Sequence, residues 1–302
     1  MDKAPHSLTA RTAATVPGPI PPPSGSAPDG AVATVRRHGY ARLSAAGLGI
    51  DTEAMAEDFA RLADAYRDLP PDPYALATNR FRRYSHAVHL PWTGLLSYSP
   101  GAPDAEFGTV TEYWQDEHNP DYPRMRRRLP DLPAALRDNR LLDALIRADL
   151  GQALWLEELH RVPVYVGVHL IALGVRERGQ EAVSSPNCLH QDGGSPATFT
   201  FAHLVGRRNV EGGENVIATA ESAGRQPDDL PRDAVLARFV LSEPLDGYGV
   251  HDHRVSHYVG PVRLGGDGAG GADGPETAAG APAAGGRRDI LIIGIAPYTP
   301  GL

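Results

Sequence analysis

The feature that most constrains the fold of this chain is a change of hydrophobic period near residue 162. From there on, short β-branched and aromatic runs are separated by Gly, Pro, Asn or Asp, with no helix-length segment between them except around 228–237. The runs cover 162–173, 197–205, 215–219, 238–241, 255–262 and 289–295. Helical patterns first and strands afterwards predict an antiparallel sandwich or barrel with helices on one side, and not a doubly wound nucleotide-binding fold.

Two segments ahead of the strands have a helical period. The first, 51–69, has apolar residues at spacings of four, three and four: Met55, Phe59, Leu62 and Tyr66. Asp51 is its expected N-cap. The second runs from Pro133 to Leu150, and Gly151 is expected to interrupt it. Residues 72–125 are rich in aromatic residues and prolines, so we expect loops and short strands between the helices.

Glycine and proline number 33 and 28 in the 302 residues, and they concentrate in two stretches. Residues 1–32 are Pro-rich, and residues 265–286 are mostly Gly and Ala. Neither stretch can bury enough apolar surface to offset its ordering entropy, so we expect a disordered tail and a flexible insertion. The remainder, 33–302, is expected to be one domain, with helical and loop support over 33–160 and a β core over 161–302.

Charge and cysteine content exclude several classes of protein. The net charge of −8 and the pI near 5.8 argue against a nucleic-acid or anionic-membrane partner and favour a small molecule. No apolar run approaches the ~18–20 residues of a membrane span, and no apolar core follows Lys3, so a cytoplasmic protein is expected. Cys188 is the single cysteine, so any metal must rest on His and carboxylate ligands. The oligomeric state is not indicated.

The segment Leu189-His190-Gln191-Asp192 is the first chemical signal. Residues two apart in a strand share a face, so His190 and Asp192 can present two ligands to one metal. The pair alone is a weak signal, because His-x-Asp often occurs by chance and a solvated turn before a strand explains it better. His257, in a β-like segment further on, adds a third ligand, and its Val-x-His-x-Val-x-Pro context favours it over His251 and His253. Two histidines and one carboxylate are typical of non-haem Fe(II) oxygenases, although zinc hydrolases use the same ligand types.

A second signal is Arg287-Arg288-Asp289 at the start of an apolar run. Burying an arginine there is costly unless an anion meets it, and a guanidinium matches a carboxylate in bidentate fashion. Strand alternation places Arg288 with Ile290 and Ile292, and Arg287 with Asp289 on the other face. Arg288 is therefore the candidate anion binder and Arg287 is expected to be solvated. The alternative for Arg288 is a strand-edge cation that serves solubility.

These segments together resemble the 2-oxoglutarate/Fe(II)-dependent oxygenases, and among them the bacterial free-amino-acid dioxygenases of the isoleucine 4-hydroxylase type. The resemblance runs from about residue 80 to 295 and rests on ordered blocks: Ser184–Pro186 before Leu189–Asp192, Gly212–Asn215, Glu243–Leu245, Val255–Pro261 and Arg288–Leu291. It implies a mainly β double-stranded β-helix, or jelly roll, with flanking helices. It also implies Fe(II) held by His190, Asp192 and His257, with 2-oxoglutarate bound by Arg288 and O₂ as co-substrate.

The resemblance implies oxidation of an unactivated C–H bond of a free amino acid or derivative, in specialised metabolism. Hydroxylation is expected over halogenation because Asp192 is present, while ring closure and desaturation stay open. Arg80 and Arg82 match an R-x-R-x-Y-S stretch of the amino-acid hydroxylases and are substrate-binding candidates, with a solvated basic run as the alternative. His169 is a third candidate, with a hydrogen-bonded core histidine as the alternative. The basic run over 124–128 is interpreted as a solvated face.

The sequence departs from the family in two places, and the second departure leaves the substrate open. The interval between His257 and Arg288 is longer than usual, and the insertion at 265–286 accounts for the excess. Leu170 and Ala172 stand where the isoleucine-type enzymes have more polar residues. A peptide or carrier-bound substrate is therefore an alternative, and a jelly-roll binding protein without catalytic activity is the alternative outside enzymes.

Overall fold

The computed structural model describes residues 28–115, 120–265 and 285–299. These contain the helices α1 Pro28–His38, α2 Ala56–Asp64, α3 Ala134–Arg137, α4 Arg140–Ala153 and α5 Glu157–His160. The strands are β1 Tyr40–Leu43, β2 Arg80–Leu90, β3 Leu95–Tyr98, β4 Ala102–Asp104, β5 Gly108–Tyr113, β6 Arg127–Pro130, β7 Val164–Val175, β8 Glu181–Ala182, β9 Phe199–Arg208, β10 Val210–Gly212, β11 Asn215–Thr219, β12 Val235–Phe239, β13 Gly247–His251, β14 Val255–Val259, β15 Val262–Leu264 and β16 Gly286–Pro297. No helix in the described ranges is long and apolar enough to cross a membrane.

The described residues at the ends of the two Gly- and Pro-rich stretches differ from the expectation. Most of the expected tail, 1–27, and of the expected insertion, 266–284, lies outside the described residues. Residues 28–32 instead begin α1, where Ala31 is buried in the core, so the tail boundary at residue 32 is wrong. The insertion boundary is also wrong at its end, because Gly286 is the first residue of β16. A Cβ at Gly286 would collide with the carbonyl oxygen of Asn209, so this close approach requires glycine.

A seven-stranded antiparallel sheet forms the centre of the fold, in the order β1-β13-β9-β16-β7-β2-β3. Its central strands β7 and β16 pair along their whole length, from Val164 opposite Pro297 to Val175 opposite Gly286. Alternate residues of each strand point to opposite faces. One set packs in the largest hydrophobic cluster with residues of α1, α2 and α4: Val164, Val166, Val168, Leu170, Ala172, Leu291, Ile293 and Ile295. The other set lines a cavity: Tyr165, His169, Ile171, Leu173, Arg288, Ile290 and Ile292.

A smaller sheet, β12-β11-β14, packs against the cavity-facing side of the large sheet. One hydrophobic cluster joins side chains of both sheets: Ala202, Leu204 and Ile290 from the large sheet, with Ile217, Ala237 and Phe239 from the small one. Further three-stranded sheets have the orders β10-β15-β8 and β4-β5-β6. The predicted fold class is confirmed: a mainly antiparallel β jelly roll with helices on the outer face of its large sheet.

The region 33–160 contributes more to the sheet than helical and loop support. β1 pairs with β13 at one edge, and β2 is an eleven-residue strand paired with β7. The sequence pattern did not predict β2 as a long strand, because the positions of β2 that face the cavity are polar. They are Arg80, Arg82, Tyr84 and His86. A strand whose inner face lines a polar cavity does not show the usual apolar alternation.

The two predicted helices form, with different ends. α2 begins at Ala56 rather than near Asp51, whose side chain accepts the backbone N–H of Ala54 in a preceding turn (3.0 Å). The second segment divides at Asn139, whose side-chain oxygen accepts the N–H of Leu142 (2.9 Å) and caps α4. Gly151 does not interrupt α4, which continues to Ala153.

Candidate active site

His190, Asp192 and His257 lie together in the wall of the cavity. Backbone hydrogen bonds join His190 and His257 in both directions, each 2.9 Å long, and β11 holds β14 in place with Ile217 opposite His257. Asp192 Oδ1 lies 3.9 Å from His190 Nε2, and Asp192 Oδ2 lies 3.3 Å from His257 Nε2. One possible ligand atom from each residue lies within 4.8 Å of the other two. A single ion can therefore be reached by all three side chains.

The protonation of His190 suits a metal ligand. Its Nδ1 lies 2.8 Å from the Cys188 carbonyl oxygen, which only accepts, so Nδ1 carries the hydrogen and Nε2 presents its lone pair toward Asp192. Burial, with the neighbouring His257, lowers the pKa of His190 to about 4. The imidazole is thus neutral at physiological pH, as a metal ligand must be.

Asp192 carries the negative charge of the site. Its Oδ1 accepts a hydrogen bond from Gln115 Nε2 (3.0 Å), and its Oδ2 accepts one from Thr200 Oγ1 (3.0 Å). Burial alone would raise the pKa of Asp192, but the hydrogen bond and charge of His257 hold it well below its ordinary value. The pKa of His257 is raised because Asp192 outweighs the effect of burial. A divalent cation would replace the proton shared in this pair, and two imidazole nitrogens with one carboxylate suit Fe(II).

The neighbouring histidines lie outside this group. The ring of His251 stacks on Phe199 with centroids 4.5 Å apart, and its Nε2 donates to the Pro196 carbonyl oxygen (2.5 Å). His253 is exposed. The carboxylate and both imidazoles that meet are therefore those of His190, Asp192 and His257.

The cavity between the sheets has a volume of about 460 Å³ and extends from the His-Asp-His group to Arg288. The side chain of Arg288 is 2% exposed, and its Nε has no hydrogen-bond partner among the described residues. Burial lowers the pKa of Arg288 to about 10, while Tyr248 on β13 acts in the opposite direction. An unpaired, buried guanidinium at the wall of a cavity fits a carboxylate ligand. Arg287, on the other face, donates to Asp289 Oδ1 (2.6 Å) and is half-buried rather than simply solvated.

Arg80 and Arg82 line the cavity from β2, but their surroundings differ. Arg80 Nε donates to the buried Asp72 Oδ2 (2.9 Å), and its Nη1 donates to the Ser185 carbonyl oxygen (3.1 Å). Arg82 lies further from Asp72, with 3.9 Å between Nη1 and Oδ2. Its Nε has no hydrogen-bond partner among the described residues. The charge of Arg80 is therefore neutralised within the protein to a greater extent than that of Arg82.

His169 lies between Arg82 and two aromatic rings. Its Nδ1 is 2.6 Å from Arg82 Nη2 and must accept, because a guanidinium only donates. Burial, followed by the charge of Arg82, lowers the pKa of His169 well below its ordinary value. The ring stacks on Tyr84 (4.6 Å between centroids) and meets the edge of Tyr113. His169 is therefore neutral, carries its hydrogen on Nε2 and fixes one end of the Arg82 guanidinium.

Several cavity residues were not found from the sequence. Tyr84 and Tyr165 share a hydrogen bond (2.6 Å between hydroxyl oxygens), and their alternation with Arg82 and His169 was the available signal. The solvated-face interpretation of the basic run is wrong for Arg127, which is 1% exposed. Its guanidinium packs against the rings of Tyr113 and Tyr122 and donates to the side chain of Gln115.

Comparison with known proteins gives matches along most of the chain. A sequence model of the family described as 2OG-Fe dioxygenase matches residues 63–273. The chain is 29% identical over 183 residues to the 3(1)-hydroxy-L-isoleucine 4-dioxygenase of Pantoea ananatis. The aligned residues make up 60% of this chain and 68% of the relative. The family match includes all three residues of the candidate metal centre.

Solved structures resemble the whole described fold. A bsmA homologue from Methylobium petroleophilum gives a TM-score of 0.68 at 21% identity, covering 90% of this chain and 96% of that one. IDO from Bacillus thuringiensis gives a TM-score of 0.64 at 18% identity, covering 91% of this chain and 97% of that one. At these identities the likeness supports the jelly-roll fold alone. The family match and the fit of the site to a divalent cation carry the assignment: this chain belongs to the 2OG-Fe dioxygenase family and is an Fe(II)- and 2-oxoglutarate-dependent dioxygenase that uses O₂.

Proposed function

We propose that this dioxygenase hydroxylates an unactivated C–H bond of a free amino acid or a close derivative. In this proposal His190, Asp192 and His257 hold Fe(II), and Arg288 binds the distal carboxylate of 2-oxoglutarate. The observation that carries the proposal is that the His-Asp-His group and the unpaired Arg288 guanidinium face the same cavity. The relative from Pantoea ananatis acts on a hydroxylated isoleucine by its name, and this supports an amino-acid substrate.

Fe(II) with 2-oxoglutarate and O₂ supplies the oxidising chemistry, in which R–H, 2-oxoglutarate and O₂ give R–OH, succinate and CO₂. The chain's own residues bind and orient the two organic molecules. Arg288 fixes the far end of 2-oxoglutarate, and the apolar side chains of Ile290 and Ile292 beside it exclude water from that end of the cavity. Arg82, on β2 and oriented by its hydrogen bond with His169, binds the substrate carboxylate. Arg80 holds Asp72 in place beside Arg82.

The size of the cavity supports a small substrate. Its volume of about 460 Å³ lies in the lower half of the range for small-molecule sites, and 2-oxoglutarate takes part of it. A peptide substrate would need an extended groove in addition. We therefore favour a free amino acid over a peptide.

The first experiment tests the iron and 2-oxoglutarate sites. Anaerobic addition of Fe(II) and 2-oxoglutarate to the wild type is expected to produce a weak visible charge-transfer band. The band should be absent in His257→Ala and weakened in Arg288→Gln. His251→Ala and Arg287→Gln are matched controls, because each changes the same residue type nearby without facing the cavity, and both should keep the band. Absence of the band in the wild type would refute the proposal.

The second experiment identifies the substrate class. Succinate release is measured with Fe(II), O₂ and each of the common free amino acids, together with their hydroxylated derivatives. Stimulation by a free amino acid with a matching hydroxylated product by mass spectrometry is the expected result. A desaturated or cyclised product would show that the enzyme catalyses desaturation or cyclisation instead of hydroxylation. Stimulation by the same amino acid only as a carrier thioester or within a peptide would refute the free substrate.

A further inference from the structure

We propose that Asp252 and Thr200 act as a bracket that positions the metal ligands Asp192 and His257. Neither residue belongs to the His-Asp-His group, and the inference rests on the proposed Fe(II) site. Asp252 lies in the turn between β13 and β14, and Thr200 lies on β9. Both face the metal ligands from elements that carry no ligand themselves.

The Asp252 carboxylate is directed at both ligand segments. Its Oδ1 accepts the backbone N–H of Asp192 (3.1 Å) and lies 3.4 Å from His257 Nδ1. That second distance is longer than a well-formed hydrogen bond, and His257 Nδ1 has no hydrogen-bond partner among the described residues. The Asp252 carboxylate therefore faces the ring nitrogen that would point away from a metal held by Nε2. A carboxylate in this place favours the Nδ1–H form and leaves the Nε2 lone pair for the metal.

Thr200 connects the two carboxylates. Its Oγ1 lies 2.9 Å from Asp252 Oδ2 and 3.0 Å from Asp192 Oδ2. A hydroxyl has one proton, so Thr200 donates to one of these two oxygens at a time while its Oγ1 stays within 3.0 Å of both. Its contact with Asp192 Oδ2 restricts the rotation of the Asp192 carboxylate. Gln115, which donates to Asp192 Oδ1, acts on the other oxygen. Rotation of the Asp192 carboxylate is thus restricted from both sides.

The backbone of Asp252 is tied to the same segments. Its N–H donates to the Thr198 carbonyl oxygen (3.0 Å), two residues before Thr200. Its carbonyl oxygen accepts from the side chain of Gln191, which lies between His190 and Asp192. The Asp252 side chain is fully buried, and the cationic side chain that faces it among the described residues is His257. A buried carboxylate without arginine or lysine is costly, and a metal-bound imidazole gives it a function there.

The test uses Co(II) binding to the metal-free enzyme, which needs neither substrate nor turnover. The variants are Asp252→Asn, Thr200→Val and Thr200→Ser. Ser256→Ala is the matched control, because Ser256 is buried beside His257 on β14 but donates to the Thr219 carbonyl oxygen (2.8 Å). Co(II) affinity is measured by equilibrium dialysis, the visible Co(II) spectrum reports ligand geometry, and thermal unfolding of the metal-free proteins reports the fold.

The expected result is a 10- to 100-fold loss of Co(II) affinity in Asp252→Asn, about the usual effect of removing a partner of a metal ligand. Thr200→Val should lose affinity and change the Co(II) spectrum, while Thr200→Ser restores both. Ser256→Ala should bind as the wild type does. Folded Asp252→Asn and Thr200→Val proteins with wild-type affinity and spectra would overturn the bracket alone. If Asp252→Asn does not fold, the Thr200 pair decides the question. A wild type that does not bind Co(II) would overturn the proposed metal site and the bracket with it.

Discussion

Replacing Arg288 by Met is predicted to stabilise the ligand-free enzyme while abolishing its response to 2-oxoglutarate. Burial lowers the pKa of this guanidinium from 12.5 to about 10. Each pH unit corresponds to about 1.4 kcal/mol, so holding the cation without a counter-ion costs the folded enzyme about 3 kcal/mol. The group is a base whose folded pKa lies below its unfolded pKa. The cost is therefore present at every pH below about 10, including neutral pH.

Methionine removes this charge and keeps much of the volume of the side chain. Imperfect packing of the methionine costs about 1 kcal/mol, so the free energy of unfolding is expected to rise by about 1–2 kcal/mol in total. In a chain of this size that gain raises the melting temperature of the ligand-free enzyme by about 3–6 °C. Arg287→Met is the matched control with the opposite sign, because it leaves the mostly buried Asp289 carboxylate without the guanidinium that binds it.

The assay is thermal unfolding of each protein with Mn(II), with and without 2-oxoglutarate. A ligand present at a hundred times its dissociation constant stabilises the folded wild type by about 2.7 kcal/mol. Arg288→Met should lose most of this shift, because the distal carboxylate would lie beside a thioether instead of a guanidinium. A ligand-free Arg288→Met that melts below the wild type would refute the argument from burial. An undiminished shift with 2-oxoglutarate would refute the assignment of Arg288.

Three further outcomes are expected. The stability of the metal-free wild type to urea, measured relative to that of His190→Gln, should fall by about 3 kcal/mol between about pH 6.5 and pH 4, because the pKa of buried His190 is lowered to about 4 and the unfolded chain takes up its proton first. A difference between the two proteins that does not change with pH would contradict this. Arg82→Gln should raise the KM for the amino-acid substrate at least tenfold in steady-state kinetics. Arg83→Gln should leave this KM unchanged, because Arg83 donates to the Asp131 carbonyl oxygen instead. Equal effects of the two substitutions would contradict the role of Arg82. Asp149→Ala should destabilise the fold by about 3–5 kcal/mol in urea unfolding without changing the KM for 2-oxoglutarate, because it leaves the fully buried His203 without its partner at 2.9 Å.

The sequence predicted those parts of the site in which the signal is local. His190 and Asp192 are two residues apart, and the face of Arg288 follows from alternation along one strand. The order of helical and strand patterns predicted an antiparallel sandwich or barrel with helices on one side, and the family resemblance implied the jelly roll. Such features depend on the period of the backbone, which neighbouring residues define.

The remaining parts of the site depend on contacts between distant segments. Asp252 gains its place beside Asp192 only when β13 and β14 fold back toward β9. Arg127 is buried because pairing of β6 with β5 brings it opposite Tyr113, whereas Arg128, next to it, points outward. Nothing in the local sequence distinguishes the buried Arg127 from the other three arginines over 124–128. Asp72, which neutralises Arg80, follows two prolines and has no periodic pattern around it.

The charges along the cavity distinguish a free amino acid from a carrier-bound one. Among the described residues that line it, Arg80, Arg82 and Arg288 are cationic, and Asp192, which is half-buried, is the carboxylate of the proposed metal centre. Asp72 neutralises Arg80, and a divalent cation would neutralise Asp192 and add positive charge. Arg288 on β16 and Arg82 on β2 then remain as two separate cations, on either side of β7 in the large sheet. 2-Oxoglutarate provides an anion for Arg288. A free amino acid provides one for Arg82, whereas a thioester or peptide bond removes that carboxylate and leaves this buried cation with Asp72, 3.9 Å away and shared with Arg80, as its counter-ion. The geometry therefore favours a substrate that keeps its carboxylate.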